Sequence, residues 1–295
     1  MNVDQIAYTS RVPGAGETVM GDRFVMGFGG KGANQAVMAR RLGARVEFVG
    51  ALGEDVFADM TIDNMAGQGI DTRFIVRVAG SSGVAPIWVE PDGTNRIIVV
   101  AGANDRVEPA AAADAIRSLE RVDAVVGQLE IPQAATTAAF ATARARGAPT
   151  VLNPAPAAPL EAELLAATDW LIPNETEFAI LAGADGGEDR FRAFAERTQT
   201  RLVVTLGREG ALLVRDGGDY ERVAAAPVPA IDTTGAGDAF VGAFAYGLAA
   251  GLAEPEAVRL GVALASDSVT KPGTQSSFAT AAEAAVLLRE VLART

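Results

Sequence analysis

From about residue 109 onward, short apolar runs alternate with longer stretches in which apolar residues recur every three or four positions. The runs Ala124-Val125-Val126, Thr150-Val151-Leu152, Trp170-Leu171-Ile172 and Leu202-Val203-Val204-Thr205 read as strands. Helical spacing covers Ala134–Arg146, Glu175–Leu181 and Glu188–Arg197, with further helices ahead of residues 124 and 170. Such alternation predicts a mostly parallel sheet flanked by helices, because parallel strands need a crossover and a helix is the usual one. After Ala236 the pattern is almost wholly helical, over Ala236–Ala250, Pro255–Val269 and Ala281–Leu292.

The first hundred residues follow a different rhythm. Arg45–Val49 reads as a strand and Asp55–Gln68 as a helix. Ile87 and Val89 lie on one side of Pro91-Asp92-Gly93, and Ile97 and Val99 on the other, which predicts a β-hairpin. A second β-rich, glycine-punctuated piece covers roughly residues 4–28. The two pieces are expected to pair into a small sheet outside the main one, a lid built from about 4–28 and 80–101. A lid of that kind would exclude water from a cleft. Two unrelated surface hairpins would give the same pattern. The 295 residues suit a single α/β domain.

Composition narrows the chemistry. With 49% hydrophobic and 21% charged residues the chain is a globular one. Net charge is 25 − 37 = −12, which argues against a nucleic-acid partner. There is no Cys and no His. Thiolate nucleophiles, Ser-His-Asp triads and ordinary zinc sites are therefore excluded, and proton transfer falls to Asp, Glu, Lys or Tyr. No apolar run reaches membrane-spanning length and no basic-then-apolar leader opens the chain, so the expectation is a cytoplasmic enzyme with no membrane contact.

The segment with most chemistry in it is Asp232-Thr233-Thr234-Gly235-Ala236-Gly237-Asp238, immediately ahead of a helix. Bare N–H groups at a helix start favour an anion, and an aspartate in the same turn can take a proton from a hydroxyl. Together they describe phosphoryl transfer, an oxyanion cradle beside a base. An ordinary capped turn opening a buried helix fits the same letters. Gly27-Phe28-Gly29-Gly30-Lys31-Gly32 matches a dinucleotide fingerprint by letter, which leaves an NAD(P)-dependent oxidoreductase as the alternative from another class. It is not a Walker A loop, since Gly follows the Lys. Read instead as the start of a helix, the run places Lys31 and Asn34 one turn apart, facing one ligand. Asn153-Pro154-Ala155-Pro156-Ala157, Pro173-Asn174-Glu175-Thr176-Glu177 and Thr205-Leu206-Gly207-Arg208-Glu209-Gly210 each follow a strand, where ligands gather in α/β sheets. Asn174 with acidic first-turn residues is equally a helix cap. Glu130, after Gln128-Leu129, is either a ligand contact or a solvated loop residue.

Taken together, in order and over nearly the whole chain, these segments and Asn2-Val3-Asp4, Gly29–Ala36 and Ala101-Gly102-Ala103-Asn104 resemble the ribokinase (PfkB-type carbohydrate kinase) family. The resemblance implies a ribokinase-like α/β fold: a mostly parallel central sheet with helices on both faces and a small β-sheet lid. It implies ATP-dependent phosphorylation of a small sugar, D-ribose at its 5-hydroxyl, with 2-deoxyribose, fructose or adenosine as other acceptors. Asp238 matches the catalytic base, and Gly235, Ala236 and Gly237 the anion hole. Asn2, Asp4, Gly30, Lys31, Asn34 and Glu130 match sugar contacts. Asn174, Thr205, Gly207, Gly210 and Gly237 match the nucleotide side, and Glu177 a position near Mg²⁺. Asp232, Thr234, Val269, Lys271, Gly273 and Ser277 match a loop for a monovalent cation, K⁺. Ribokinase-like relatives also pair two subunits through the lid, so a homodimer is expected.

The sequence departs from that family in two places. Relatives carry an apolar strand just before the Asn-x-Asp element, whereas here Met1 precedes it directly. The expectation is a missing strand, unpaired sheet edges, and Asn2 and Asp4 on a fraying terminus. Asp267 sits in a helix where relatives are apolar, so it is expected to face solvent or to have a partner.

Overall fold

The computed structural model describes residues 1–183, 187–215 and 219–293. Its central element is a six-stranded sheet in the order β12-β11-β10-β9-β8-β7. The strands are β7 (Val125–Gly127), β8 (Thr150–Leu152), β9 (Trp170–Leu171), β10 (Arg201–Thr205), β11 (Ala211–Val214) and β12 (Tyr220–Val223). Strands β7 to β10 are parallel, and β11 and β12 add an antiparallel hairpin at one edge. Side-chain alternation sends Leu152, Leu171, Leu202, Val204, Leu212 and Val214 to one face, against Phe140, Phe178, Phe191 and Phe194. Those aromatics come from α4 (Gln133–Ala145), α6 (Glu175–Ala182) and α7 (Asp189–Thr198). Val151, Trp170, Val203 and Leu213 go to the other face, against Phe240, Val241 and Phe244 of α8 (Ala236–Ala249). The Trp170 and Phe244 rings meet edge to face at 5.0 Å. A sheet covered on both faces needs apolar residues at every strand position, which is why these strands read as continuous runs rather than alternating ones.

The remaining helices extend the cover on the side of α8. They are α1 (Lys31–Arg41), α2 (Val56–Gly67), α9 (Glu254–Ser268) and α10 (Ala281–Leu292), and with Leu52 they share one core around Val37, Met38, Met65, Leu260 and Leu264. The close approach of α1 to α8 depends on Gly242, where a Cβ would collide with the Gln35 carbonyl and lie 2.9 Å from Met38 Cβ. On the other side of the molecule, α3 (Pro109–Ser118) packs with α4, and the short α5 (Ala162–Ala166) precedes β9.

Two findings differ from the sequence expectation. First, the main sheet is divided. Strands β3 (Glu47–Leu52) and β4 (Asp71–Arg77) form a separate parallel pair, and among the described residues β3 pairs only with β4 and β7 only with β8. Second, Asn2 and Asp4 do not fray. They lie in β1 (Asn2–Tyr8), paired antiparallel with β2 (Arg23–Gly29) and parallel with β5 (Val84–Val89). Neighbours on both sides satisfy the backbone groups of β1, and Met1 and Asn2 are buried.

With β6 (Asn95–Ile97) these strands make a four-stranded sheet in the order β2-β1-β5-β6, apart from the central one. β5 and β6 are the two arms of a hairpin in which Ile87 faces Ile97. The same topology removes the dinucleotide reading of Gly27–Gly32. Gly27 and Gly29 lie in an antiparallel strand of this small sheet, so no parallel strand–turn–helix unit begins there. Asp267 has its partner: Lys271 Nζ lies 2.9 Å from its carboxylate.

Candidate active site

The first turn of α8 faces the carboxyl ends of β8, β9 and β10 across a cleft of about 160 Å³. Gly235, Gly237 and Asp238 line it from α8, and Lys31 lines it from the start of α1. Asn153 follows β8, Asn174 and Glu177 follow β9, and Thr205 ends β10, completing the opposite wall. Gly235 caps α8 with φ of 77°, a left-handed conformation that glycine adopts without strain. A Cβ there would lie 2.7 Å from Thr274 Cγ2 and 3.2 Å from Phe278. The glycine therefore lets the helix start pack against the 274–278 segment while Gly235 and Gly237 line the cleft. Ala236 does not line the cleft, and its N–H points back to the Thr233 carbonyl at 3.3 Å.

Asp238 is buried, and both of its carboxylate oxygens are met by amides of α1. Asn34 Nδ2 donates to one at 2.8 Å and Gln35 Nε2 to the other at 3.0 Å. Burial raises the pKa of Asp238; the Lys31 charge and the two amide bonds oppose that rise, Glu130 adds to it, and the net shift is upward. A base poised above the ordinary carboxylate range and held by two donors suits proton acceptance near neutral pH.

The residues matched to sugar contacts gather on the other side of Lys31. Glu130 is not a solvated loop residue. Its carboxylate accepts the Lys31 backbone N–H at 2.6 Å, capping α1 at its positive end, and accepts Asn2 Nδ2 at 3.3 Å. Gly30 is the residue before α1, with φ of 87°. Asp4 is pushed up to about 6, first by burial and then by the charge of Glu130; the Met1 α-ammonium opposes the rise and Asp238 adds to it. Asn104 ties the group together, donating 2.9 Å bonds to the Met1 carbonyl and to Asn2 Oδ1, and accepting from the Met1 α-ammonium at 3.0 Å.

Of the residues matched to the nucleotide side, Asn174 and Glu177 form a reciprocal capping box at the start of α6, at 2.8 and 2.9 Å. Both the cap reading and the cleft position hold for these residues. Glu177 is raised by burial, against opposing effects of the Asn174 amide bond and Lys31. Thr205 bonds through its N–H to the Pro173 carbonyl. Gly207 and Gly210 stand apart from the cleft. They close a single 3-10 turn between β10 and β11, with the Gly210 N–H on the Gly207 carbonyl.

The segment matched to a cation loop is assembled around Asp232. Its two oxygens accept the N–H groups of Thr234 and Gly273, each at 2.9 Å. Burial acts to raise Asp232, but the Thr234 and Gly273 hydrogen bonds outweigh it and the net shift is downward. The Val269 carbonyl accepts from both Ile231 and Asp232 N–H groups. Lys271 turns its ammonium to Asp267, which leaves only its backbone for the loop. Ser277 is buried and donates to the Thr274 carbonyl. No cluster of three Asp or Glu residues suited to a metal occurs among the described residues. No helix among the described residues is long and apolar enough to cross a membrane.

Sequence reasoning placed Gln35, Gln128, Asn153 and Asn104 in its motifs without giving them a role in orienting this site, and passed over Gln275. Gln35 Nε2 also bonds Asn153 Oδ1 at 3.1 Å, and Asn153 Nδ2 bonds the Ile172 carbonyl. One signal was available. Asn34 and Gln35 are consecutive amides inside an otherwise apolar helical run, where buried polar groups need partners.

Comparison with known proteins follows the same outline. Residues 1–281 match the model of the pfkB family carbohydrate kinases. A deoxyribokinase of Salmonella typhi is 39% identical, covering 94% of this chain and 92% of that protein. A ribokinase of Bacillus subtilis is 38% identical, covering 97% and 96%. The structure of Arabidopsis thaliana ribokinase complexed with ribose and ATP superposes with a TM-score of 0.87 at 29% identity, covering 98% of this chain and 96% of that one.

Proposed function

The chain belongs to the pfkB family of carbohydrate kinases, and on that premise we propose that it transfers the γ-phosphoryl group of ATP to the 5-hydroxyl of D-ribose, giving ribose 5-phosphate. The observation that carries the chemistry is Asp238. It is a buried carboxylate at the mouth of a helix, oriented by two amides and open to the cleft.

In this reading the sugar lies between Asp238 and the group formed by Asn2, Asp4, Lys31 and Glu130, whose donors and acceptors suit a polyhydroxyl ligand. Asn34 lies behind Asp238, with its amide nitrogen on that carboxylate and its oxygen on Gln275. Asp238 accepts the proton of the 5-hydroxyl as that oxygen attacks the γ-phosphorus in line. The N–H groups of Gly235 and Gly237 meet the charge that develops on the transferred group. Lys31, reaching both Asp238 and Glu177 electrostatically, bridges the sugar and phosphate sides.

Asn174, Glu177 and Thr205 serve the nucleotide side. Gly207 and Gly210 shape the turn behind it. Glu177, a half-buried carboxylate raised by burial, fits a neighbour of Mg²⁺, which when bound with ATP neutralises phosphate charge. The all-oxygen set at Asp232, Thr234, Gly273, Ser277 and the Lys271 backbone fits a hard monovalent cation such as K⁺. Val269 fits less well, because its carbonyl already accepts two N–H groups.

The four-stranded sheet acts as a lid over the sugar. Its base is pinned where Ser82 N–H and Oγ both bond Asp55, each at 2.7 Å. Phe24, Ile97, Ile98 and Val99 on this sheet and its flank are more than half exposed, and among the described residues β2 and β6 are the edges of the sheet. Apolar surface beside open edges supports a homodimer formed through the lid. A reaction that consumes ATP, in a chain without Cys, suits the cytoplasm.

The competing acceptor is 2-deoxyribose, because a deoxyribokinase is as similar to this chain as a ribokinase is. ADP release with Mg-ATP and K⁺, measured against ribose, 2-deoxyribose, fructose and adenosine, decides between them. Ribose is expected to give the highest kcat/KM. A higher value for 2-deoxyribose overturns the acceptor and leaves the kinase.

A further inference from the structure

Two chains of side-chain amides end on Asp238. The first starts on α2, where Asn64 Nδ2 donates to Gln275 Oε1 at 3.2 Å. Gln275 Nε2 donates to Asn34 Oδ1 at 3.0 Å, and Asn34 Nδ2 donates to Asp238 at 2.8 Å. In the second, Gln128 Nε2 donates to Gln35 Oε1 at 2.6 Å, and Gln35 Nε2 donates to Asp238 at 3.0 Å. Each chain carries its donors toward the carboxylate, and Gln35 Nε2 also donates to Asn153 Oδ1 at 3.1 Å.

The direction follows from the chemistry of the groups. An ionised carboxylate only accepts, so an amide facing it must present nitrogen. The oxygen at the other end of that amide is then buried and needs a donor of its own. Asn34 is 4% exposed and Gln35 2%, so water does not supply one. Gln275 and Gln128 do. Without Gln275, Asn34 has an unpaired buried oxygen, and turning end for end relieves it while aiming oxygen at Asp238; without Gln128, Gln35 has one too, and its bond to Asn153 Oδ1 makes the turn the harder of the two.

Gln275 also belongs to the segment that holds Asp232. The Gly273 N–H bonds Asp232, and the Gln275 carbonyl accepts Arg41 Nη1 at 3.0 Å. The 273–278 segment thus reaches the carboxylate through one side chain.

We propose that Gln275 and Gln128 are positioning residues for phosphoryl transfer: each fixes the orientation of an inner amide, Asn34 or Gln35, so that it donates to Asp238. This rests on Asp238 being the base. The charged groups that also face Asp238 are Lys31 from α1, Glu130 from the loop after β7, and Asp4 from β1; none of them is altered in the variants below.

The test uses Gln275→Met and Gln128→Met, which keep length and bulk but cannot donate. For each, kcat/KM for the sugar is followed against pH at saturating Mg-ATP, beside a thermal melt. The acid limb is expected to move up by about 0.5–1 pH unit, because an amide that no longer stabilises the ionised form lets the pKa rise. Turnover at neutral pH is expected to fall roughly 3- to 10-fold, with KM for ATP within about twofold of the parent. In an Asn34→Leu background, Gln275→Met is expected to add no further shift, since its route to Asp238 is already cut.

Acid limbs at the parental pH in the folded variants overturn the proposal, as does a Gln275→Met shift that persists in full without Asn34. A loss confined to melting temperature counts as a packing role and overturns it too. If Gln275→Met does not fold, Gln128→Met reads the same claim through Gln35. Asp238→Asn is assayed alongside. Near-parental turnover there overturns the base assignment itself, whereas an inactive Asp238→Asn with unmoved limbs overturns only the amide chains.

Discussion

Asn34 Nδ2 and an oxygen of Asp238 lie 2.8 Å apart although 204 residues separate them in the chain. That contact joins the start of α1 to the start of α8, and it exists because Gly242 lets the two helices touch.

Gly235→Ala is expected to lower stability by about 1–3 kcal/mol and to abolish most turnover. Its φ of 77° disfavours any side chain, and a Cβ would press on Thr274. Denaturant melts and kcat check this together. A variant as stable and active as the parent would mean that the start of α8 is not held as described.

Asp4→Asn is expected to raise stability at pH 7–8 while weakening the sugar. The folded pKa of Asp4, about 6, lies above its ordinary value of 3.8. Its contribution therefore favours folding below about pH 4 and is lost as pH rises through 6. Removing the charge is expected to recover on the order of 2 kcal/mol at neutral pH. The parent-minus-variant stability difference, followed from pH 4 to 8, should change most between 4 and 6. A flat difference contradicts the placement.

Lys31→Met removes the cation that faces Asp238 and Glu177. Both carboxyls are expected to titrate higher, so the acid limb of kcat/KM moves to higher pH. KM for the sugar is expected to rise more than KM for ATP. Equal losses for both ligands would count against a place on the sugar side.

Ile98→Lys places a charge on the exposed apolar surface beside β6, where Ile98 is 54% exposed. Sedimentation velocity is expected to show a dimer for the parent and a smaller species for the variant. A parental monomer refutes pairing through the lid; an undisturbed dimer moves the interface elsewhere.

Much of the frame was readable from local pattern. The alternation from residue 109 to 205 and the helices after Ala236 carry strong periodicity, and the strands and helices form there. The β5–β6 hairpin announced itself through Pro91-Asp92-Gly93. Division of the main sheet was not readable, because which strands stand side by side is a non-local matter that leaves no period in the sequence. β4 and the β11–β12 hairpin were likewise not picked out. The amides were harder still. Gln35, Gln128 and Gln275 look like ordinary polar residues, and their partners lie 93 to 241 positions away. A resemblance could point to Asp238, but only packing reveals what holds it.

The most direct measurement is steady-state turnover of Asp238→Asn against the parent, with ribose, Mg-ATP and K⁺, on protein shown to be folded. Asn keeps the shape of the carboxyl and cannot take the 5-hydroxyl proton. General-base help is typically worth roughly 10²- to 10⁴-fold, so a fall in kcat of at least that order with an unchanged fold is expected. Turnover within about tenfold of the parent would contradict the assignment of Asp238 as the base.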